Sequence, residues 1–246
     1  MSTTYRPIIT RVLVKWMLLV LSLLSAQSWA ATPMVSAGGN HSCAVLSSGA
    51  VQCWGLNTKG QLGNGSTINS NIPVYVSGIS NATSVSAQGD SSCAVIGSGA
   101  IQCWGANNFG QLGNGSTTNS NIPLSVSGIS NATSISTGST GGHFCAVLSS
   151  GAVQCWGYNS YGQLGNGSIT NSNSPVSVSG ISNAISVSAG SFHSCAVLAG
   201  GAIKCWGFST LGQLGNGSIT NSNSPVNVVG ISNATSVSAG YLSVVK

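Results

Sequence analysis

Eight cysteines, three histidines and a single carboxylate are the residues of this chain best equipped to cross-link backbone, hold a metal or transfer a proton. The cysteines fall in pairs, Cys43 with Cys53, Cys93 with Cys103, Cys145 with Cys155 and Cys195 with Cys205, and nine residues separate the members of every pair. Zinc sites usually show two cysteines separated by two residues, so this spacing argues against metal and for local disulfides. Free thiols packed between sheets are the alternative. His41, His143 and His193 each stand two residues before a cysteine, and Ser91 holds that place once. A position that recurs in this way reads as a hydrogen-bonding strand residue, not as a catalytic base. With Asp90 as the one carboxylate, a hydrolase built on paired carboxylates is excluded. No cofactor or metal is expected, and neither is enzymatic activity.

The hexamer Gly-Gln-Leu-Gly-Asn-Gly starts at Gly60, Gly110, Gly162 and Gly212. Its glycine density suggests a phosphate cradle, but it lacks both the dinucleotide spacing and the Lys-Ser/Thr ending of phosphate loops. Fourfold repetition favours architecture. The repeat units run 34–83, 84–133, 134–185 and 186–235, with a partial fifth at 236–246 and a two-residue insertion before Cys145. The fifth copy departs from the pattern at Tyr241 and stops where its first cysteine is due, as expected of a truncated product, a fragment or a deliberately short array.

The elements that must position the cysteines follow from one unit. In the second copy, 83–87, 92–96, 100–104 and 123–126 read as short strands bounded by glycine or Asn/Ser clusters. Four antiparallel strands per unit suit the blade of an all-β propeller, with about four blades. In CAVLSSGAVQC, a three-residue loop Ser47-Ser48-Gly49 with a left-handed glycine pairs Leu46 with Ala50 and sets Cys43 opposite Cys53. Directly opposed strand residues lie close enough to bridge.

Residues 1–30 carry Arg6, Arg11 and Lys15, an apolar run from Trp16 to Ala26, and Ser28-Trp29-Ala30 before Ala31. That pattern is a secretory signal peptide, with cleavage expected after Ala30 and no stable membrane span afterwards. The repeat domain is then 31–246, in a secreted, periplasmic or cell-surface location where disulfides persist. It keeps Lys59, Lys204 and Lys246 against Asp90, three positive charges against one negative. So weak a charge offers no footprint for nucleic acid.

The string Ala37-Gly38-Gly39-Asn40-His41-Ser42-Cys43, then Gly49-Ala50-Val51-Gln52-Cys53-Trp54-Gly55, then Asn57, Gly60-Gln61-Leu62-Gly63 and Gly65 resembles the repeat of the regulator of chromosome condensation family. The resemblance covers nearly everything after residue 30, although the fourth copy has Ser209 where the others have Asn. It implies a β-propeller, commonly of seven blades, that serves as a protein-interaction platform. It also implies packing and blade-fixing roles for Trp54, Gln61, Leu62 and their counterparts. Four copies instead of seven point to an incomplete or open propeller, and uncovered blade edges to self-association.

Alternation of strand direction puts the loop between the first two strands and the segment after the third at one end. There the copies differ most. Lys59, Asp90, Phe109, Phe144, Tyr158, Tyr161, Phe192, Phe208 and Leu211 form the candidate binding face, while the opposite turns are small and bland. Aromatics and amides on one face suit recognition of a protein partner, or of a glycan as the alternative. Neutral loop drift and a purely structural repeat fragment without a ligand are the competing accounts.

Overall fold

A computed structural model describes residues 34–138 and 142–240. Residues 1–33, 139–141 and 241–246 lie outside them, and with them the signal peptide expected from the sequence, the region of the two-residue insertion and the end of the fifth copy. The first unit forms β1 (Met34–Ala37), β2 (His41–Val45), β3 (Val51–Gly55) and β4 (Ser70–Tyr75). The second forms β5 (Ala82–Gln88), β6 (Ser91–Ile96), β7 (Ile101–Gly105) and β8 (Ser120–Ser125), against the expected 83–87, 92–96, 100–104 and 123–126. The third comprises β9 (Ala132–Thr137), β10 (His143–Leu148), β11 (Val153–Gly157) and β12 (Ser172–Ser177). The fourth comprises β13 (Ala184–Ala189), β14 (His193–Leu198), β15 (Ile203–Gly207) and β16 (Ser222–Asn227). Each unit is one four-stranded antiparallel sheet in sequence order, so the chain is an all-β propeller of four-stranded blades.

The second and third strands of each blade meet in the register set by their turn. Leu46 N–H donates to Ala50 O at 2.8 Å, and Gly49 sits at φ 81°, where a side chain would be strained. Cys43 therefore opposes Cys53, and the other three pairs are opposed in the same way. All four are disulfide-bonded, with Cα–Cα separations of 4.0–4.1 Å. Four such bridges suit an oxidising compartment.

Blades pack first on second, second on third and third on fourth. The ladder between the third and fourth strands slips at the tryptophan, and such a bulge re-aims its side chain. Trp104, Trp156 and Trp206 are turned into the preceding blade and are fully buried. The indole N–H donates to the carbonyl of Gln61, Gln111 and Gln163 respectively, at 2.9, 2.9 and 2.8 Å. Trp54, in the first blade, is half-buried. No hydrogen bond among the described residues links the first blade to the fourth.

The hexamer makes the other half of each joint. Leu62, Leu112, Leu164 and Leu214 are fully buried, each worth about 2 kcal/mol of transfer free energy. Gly63 (φ 67°) lies under the next tryptophan: a Cβ there would sit 2.8 Å from the Trp104 ring. Gly60 (φ 84°) meets the backbone of Asn121 just as closely, so neither position has room for a side chain.

Phe144 corrects the sequence expectation. It is completely buried between the second and third blades, stacked on Trp156 at 6.1 Å, and so does not belong to a binding face. In the second, third and fourth blades the residue before the first cysteine, Ser92, Phe144 or Ser194, is fully buried in the joint.

Removing one bridge by Cys93→Ser with Cys103→Ser should lower stability by roughly 3 kcal/mol, the figure for closing a loop of about this length. Chemical denaturation with non-reducing peptide mapping tests this. Cross-links between different blades in the native protein would contradict the register.

Candidate functional site

At the variable end of the blades two loops are tied together by backbone hydrogen bonds. Leu56 N–H donates to Asn40 O, Ala106 N–H to Asp90 O, Tyr158 N–H to Gly142 O and Phe208 N–H to Phe192 O, at 2.8–3.0 Å. The segment that follows each Trp-Gly is then pinned by one buried asparagine. Asn57 Nδ2 donates to Ser66 O and Ile68 O, and its Oδ1 accepts from Leu62 N–H. Asn107 and Asn159 repeat this clasp. Ser209 keeps two of its three bonds with a shorter side chain and longer distances, 3.3 Å to Ser218 O and 3.4 Å from Leu214 N–H. Rigid loops of this kind present side chains at fixed positions, which lowers the entropy cost of recognition.

Five of the sequence-selected aromatics converge there. Phe109 meets Tyr158 at 4.9 Å between ring centroids, Tyr158 meets Tyr161 at 6.3 Å and Phe192 at 6.2 Å, and Tyr161 meets Phe192 at 5.2 Å and Phe208 at 5.0 Å. The result is a continuous ridge from the second blade to the fourth, with mostly tilted or edge-on ring contacts, the favoured geometry for aromatic pairs. Phe109 is 43% exposed, and the other four rings are half-buried. Leu211 is exposed at the fourth blade's equivalent of Phe109, and Lys59 is exposed at the corresponding place on the first blade. Asp90 lies apart from the ridge, half-buried, and accepts a hydrogen bond from Gln61 Nε2 at 3.1 Å. Together with Phe109 it lines a cleft of about 340 Å³.

The histidines do something that the sequence did not disclose: they bond across the joint to the next blade. His41 Nε2 lies 2.8 Å from Ser92 Oγ, and His143 Nε2 lies 2.9 Å from Ser194 Oγ. Each serine hydroxyl also donates to the glutamine carbonyl that accepts the indole, Gln61 O at 3.1 Å and Gln163 O at 3.0 Å. With its proton so committed, the hydroxyl accepts from Nε2–H, which assigns the tautomer from the network. Both serines are fully buried, so the Ser-His pairs do not present a nucleophile to a substrate. Burial holds the His41 imidazole at a pKa of about 4, outweighing the opposing pull of Asp90 and of the Gly89 peptide. Burial, with a smaller contribution from His193, takes His143 to about 3. His193 is lowered by burial as well. Among the described residues no group of histidine, cysteine or acidic side chains could hold a metal, and no helix is long and apolar enough to cross a membrane.

Sequential four-stranded blades, the second to the fourth each plugging a tryptophan into a glycine-lined socket of its predecessor, define a repeat propeller. The regulator of chromosome condensation (RCC1) repeat model matches residues 98–148, 150–197 and 201–245, and a second model of the same repeat matches 35–61 and 184–213. The chain belongs to the RCC1-repeat family. Among solved structures it is similar to human WBSCR16, with a TM-score of 0.76 and 24% identity over 87% of this chain and 57% of that one. It is also similar to yeast RCC1 (Prp20) in a crystal structure with bound Kap60, with a TM-score of 0.69 and 20% identity over 79% and 48% of the two chains. A further structure, of Prp20p from Saccharomyces cerevisiae, a protein with binding properties to Gsp1p and histones, gives 0.68 and 21% over 79% and 50%. The chain thus spans about half the length of these three structures.

Because folded-state pKa values lie below the ordinary 6.5, the unfolded chain takes up protons first as pH falls. Stability should be complete above about pH 6.5 and decline toward pH 4, by about 3 kcal/mol for His41 alone. Thermal midpoints measured from pH 7 to pH 4 should fall, and His143→Asn should flatten that slope. A midpoint unchanged down to pH 4 would count against the buried neutral imidazoles.

Proposed function

We propose that the chain is an exported, non-enzymatic propeller that recognises a protein partner through the aromatic ridge of its variable loops. The observation that carries this reading is the convergence of Phe109, Tyr158, Tyr161, Phe192 and Phe208, from three blades, into one partly exposed surface. Aromatic residues on rigid loops dominate protein-recognition hot spots, because they bring large contact area with little rotamer freedom to lose. Export is supported by the basic and apolar leader with its small-residue break at Ala30, and by four disulfides. The similar yeast propeller whose structure holds bound Kap60 supports the use of this architecture as a protein-binding platform.

The rings that rise from the loops contribute little to the blade joints, so removing them should separate binding from stability. Replacing Phe109, Tyr161 and Phe208 together with Ala should abolish capture of the partner from the medium around the producing cells. The thermal midpoint should shift by no more than a few degrees. Two results would defeat the proposal: capture of the same partner by the triple variant, or a fall of many degrees that marks the rings as core.

A further inference from the structure

The three described joints are not built alike. In the first, Gly38 makes room for the His41 ring, whose Cε1 lies 2.5 Å from where a Cβ would stand, and His41 bonds to Ser92. The third repeats this composition with Gly138, His143 and Ser194. In the joint between the second and third blades the same three positions hold Gln88, Ser91 and Phe144. Phe144 supplies the apolar volume that an imidazole occupies elsewhere, and it is fully buried. It brings no polar atom, and the Ser91 hydroxyl is committed to Ala106 O at 2.9 Å. Gln88 is left 2% exposed, with neither Nε2 nor Oε1 hydrogen-bonded. It is the only amide among the described residues orphaned at both ends. Buried polar groups almost always have partners, and an exception calls for something that supplies them.

The cleft of about 340 Å³ opens at this joint, lined by Gln88 and Asp90 and, around them, Asn40, Asn108, Phe109 and Gln111. We propose that it is a binding site for a neutral sugar residue. Gln88 calls for a ligand that both donates and accepts, and no hydrogen bond has to be broken for its amide to turn toward the cleft. Asp90 calls for donors, and the partly exposed Phe109 ring offers an apolar face. Hydroxyl groups donate and accept at once, and the C–H face of a pyranose lies flat on an aromatic ring. A lysine or arginine side chain would satisfy Asp90 and Gln88 Oε1 but leave the Nε2 protons without an acceptor. An anion would face the Asp90 carboxylate, and a hydrocarbon would satisfy none of the amides. The volume lies at the small end of the ~300–1,000 Å³ typical of ligand clefts and suits a mono- or disaccharide. The site shares Phe109 with the ridge but does not depend on the ridge binding a protein.

Two arms test the proposal on the mature protein. Free glucose, galactose, mannose and N-acetylglucosamine are presented at millimolar concentration in saturation-transfer NMR, and an array presents neutral glycans. Binding of a neutral sugar is expected in at least one arm; the free-sugar arm distinguishes a soluble saccharide from a glycan that needs its attachment. Gln88→Leu and Asp90→Asn should each weaken that binding at least tenfold. Gln88→Leu should leave the thermal midpoint unchanged or raised, because it removes the orphaned amide. Tyr161→Ala with Phe208→Ala should leave sugar binding within twofold, and Gln88→Leu should leave capture of the protein partner intact, so the two readings fail separately. No neutral sugar bound in either arm by folded protein, or equal binding by wild type, Gln88→Leu and Asp90→Asn, would overturn the site.

Discussion

A single peptide carbonyl, that of the glutamine in each Gly-Gln-Leu-Gly turn, organises the joint between neighbouring blades. It accepts the indole N–H of the next blade's tryptophan, and in two of three joints also a serine hydroxyl that a histidine of its own blade holds from the other side. A carbonyl has two lone pairs, and here both are used without water. The positive-φ glycines on either side exist because the indole and the neighbouring backbone come too close for any Cβ. Disulfides stiffen each blade from within, while this carbonyl and the buried Trp-Leu contacts hold one blade against the next.

That constraint also explains how the repeats can differ. The first blade cannot change its histidine alone, because the His41 ring fills a hole shaped by Gly38, three residues earlier, and by Ser92, fifty-one residues later. Gln88, Ser91 and Phe144 change together, and the joint stays filled at the cost of one unpartnered amide. The loops outside the joint carry no such coupling, and there the aromatics accumulate. Recognition and packing are therefore separated by two residues in the same loop: Phe192 belongs to the ridge, whereas Ser194, and Phe144 in the blade before it, belong to the core.

Much of this was legible in the sequence wherever the interaction is local. The Ser47-Ser48-Gly49 turn fixes which cysteines face each other, because turn length determines register over the next few residues. The glycine hexamer was legible as architecture through its repetition. At Phe144 variability between the copies does not signal exposure. The partners that bury it lie in another blade, and only the matched changes at Gln88 and Ser91 signal them. The His-Ser bonds were missed for the same reason: His41 and Ser92 look unrelated until two blades are laid face to face. Convergence of the ridge likewise depends on rotation between blades, which no single unit encodes.

The claim that each blade plugs its tryptophan into the carbonyl of the preceding one can be tested by hydrogen exchange at the indole N–H groups, followed by NMR. Trp104, Trp156 and Trp206 should exchange slowly, since each proton is buried in a hydrogen bond, and Trp54 should exchange fast. Four indoles exchanging at the same rate, whether fast or slow, would contradict it.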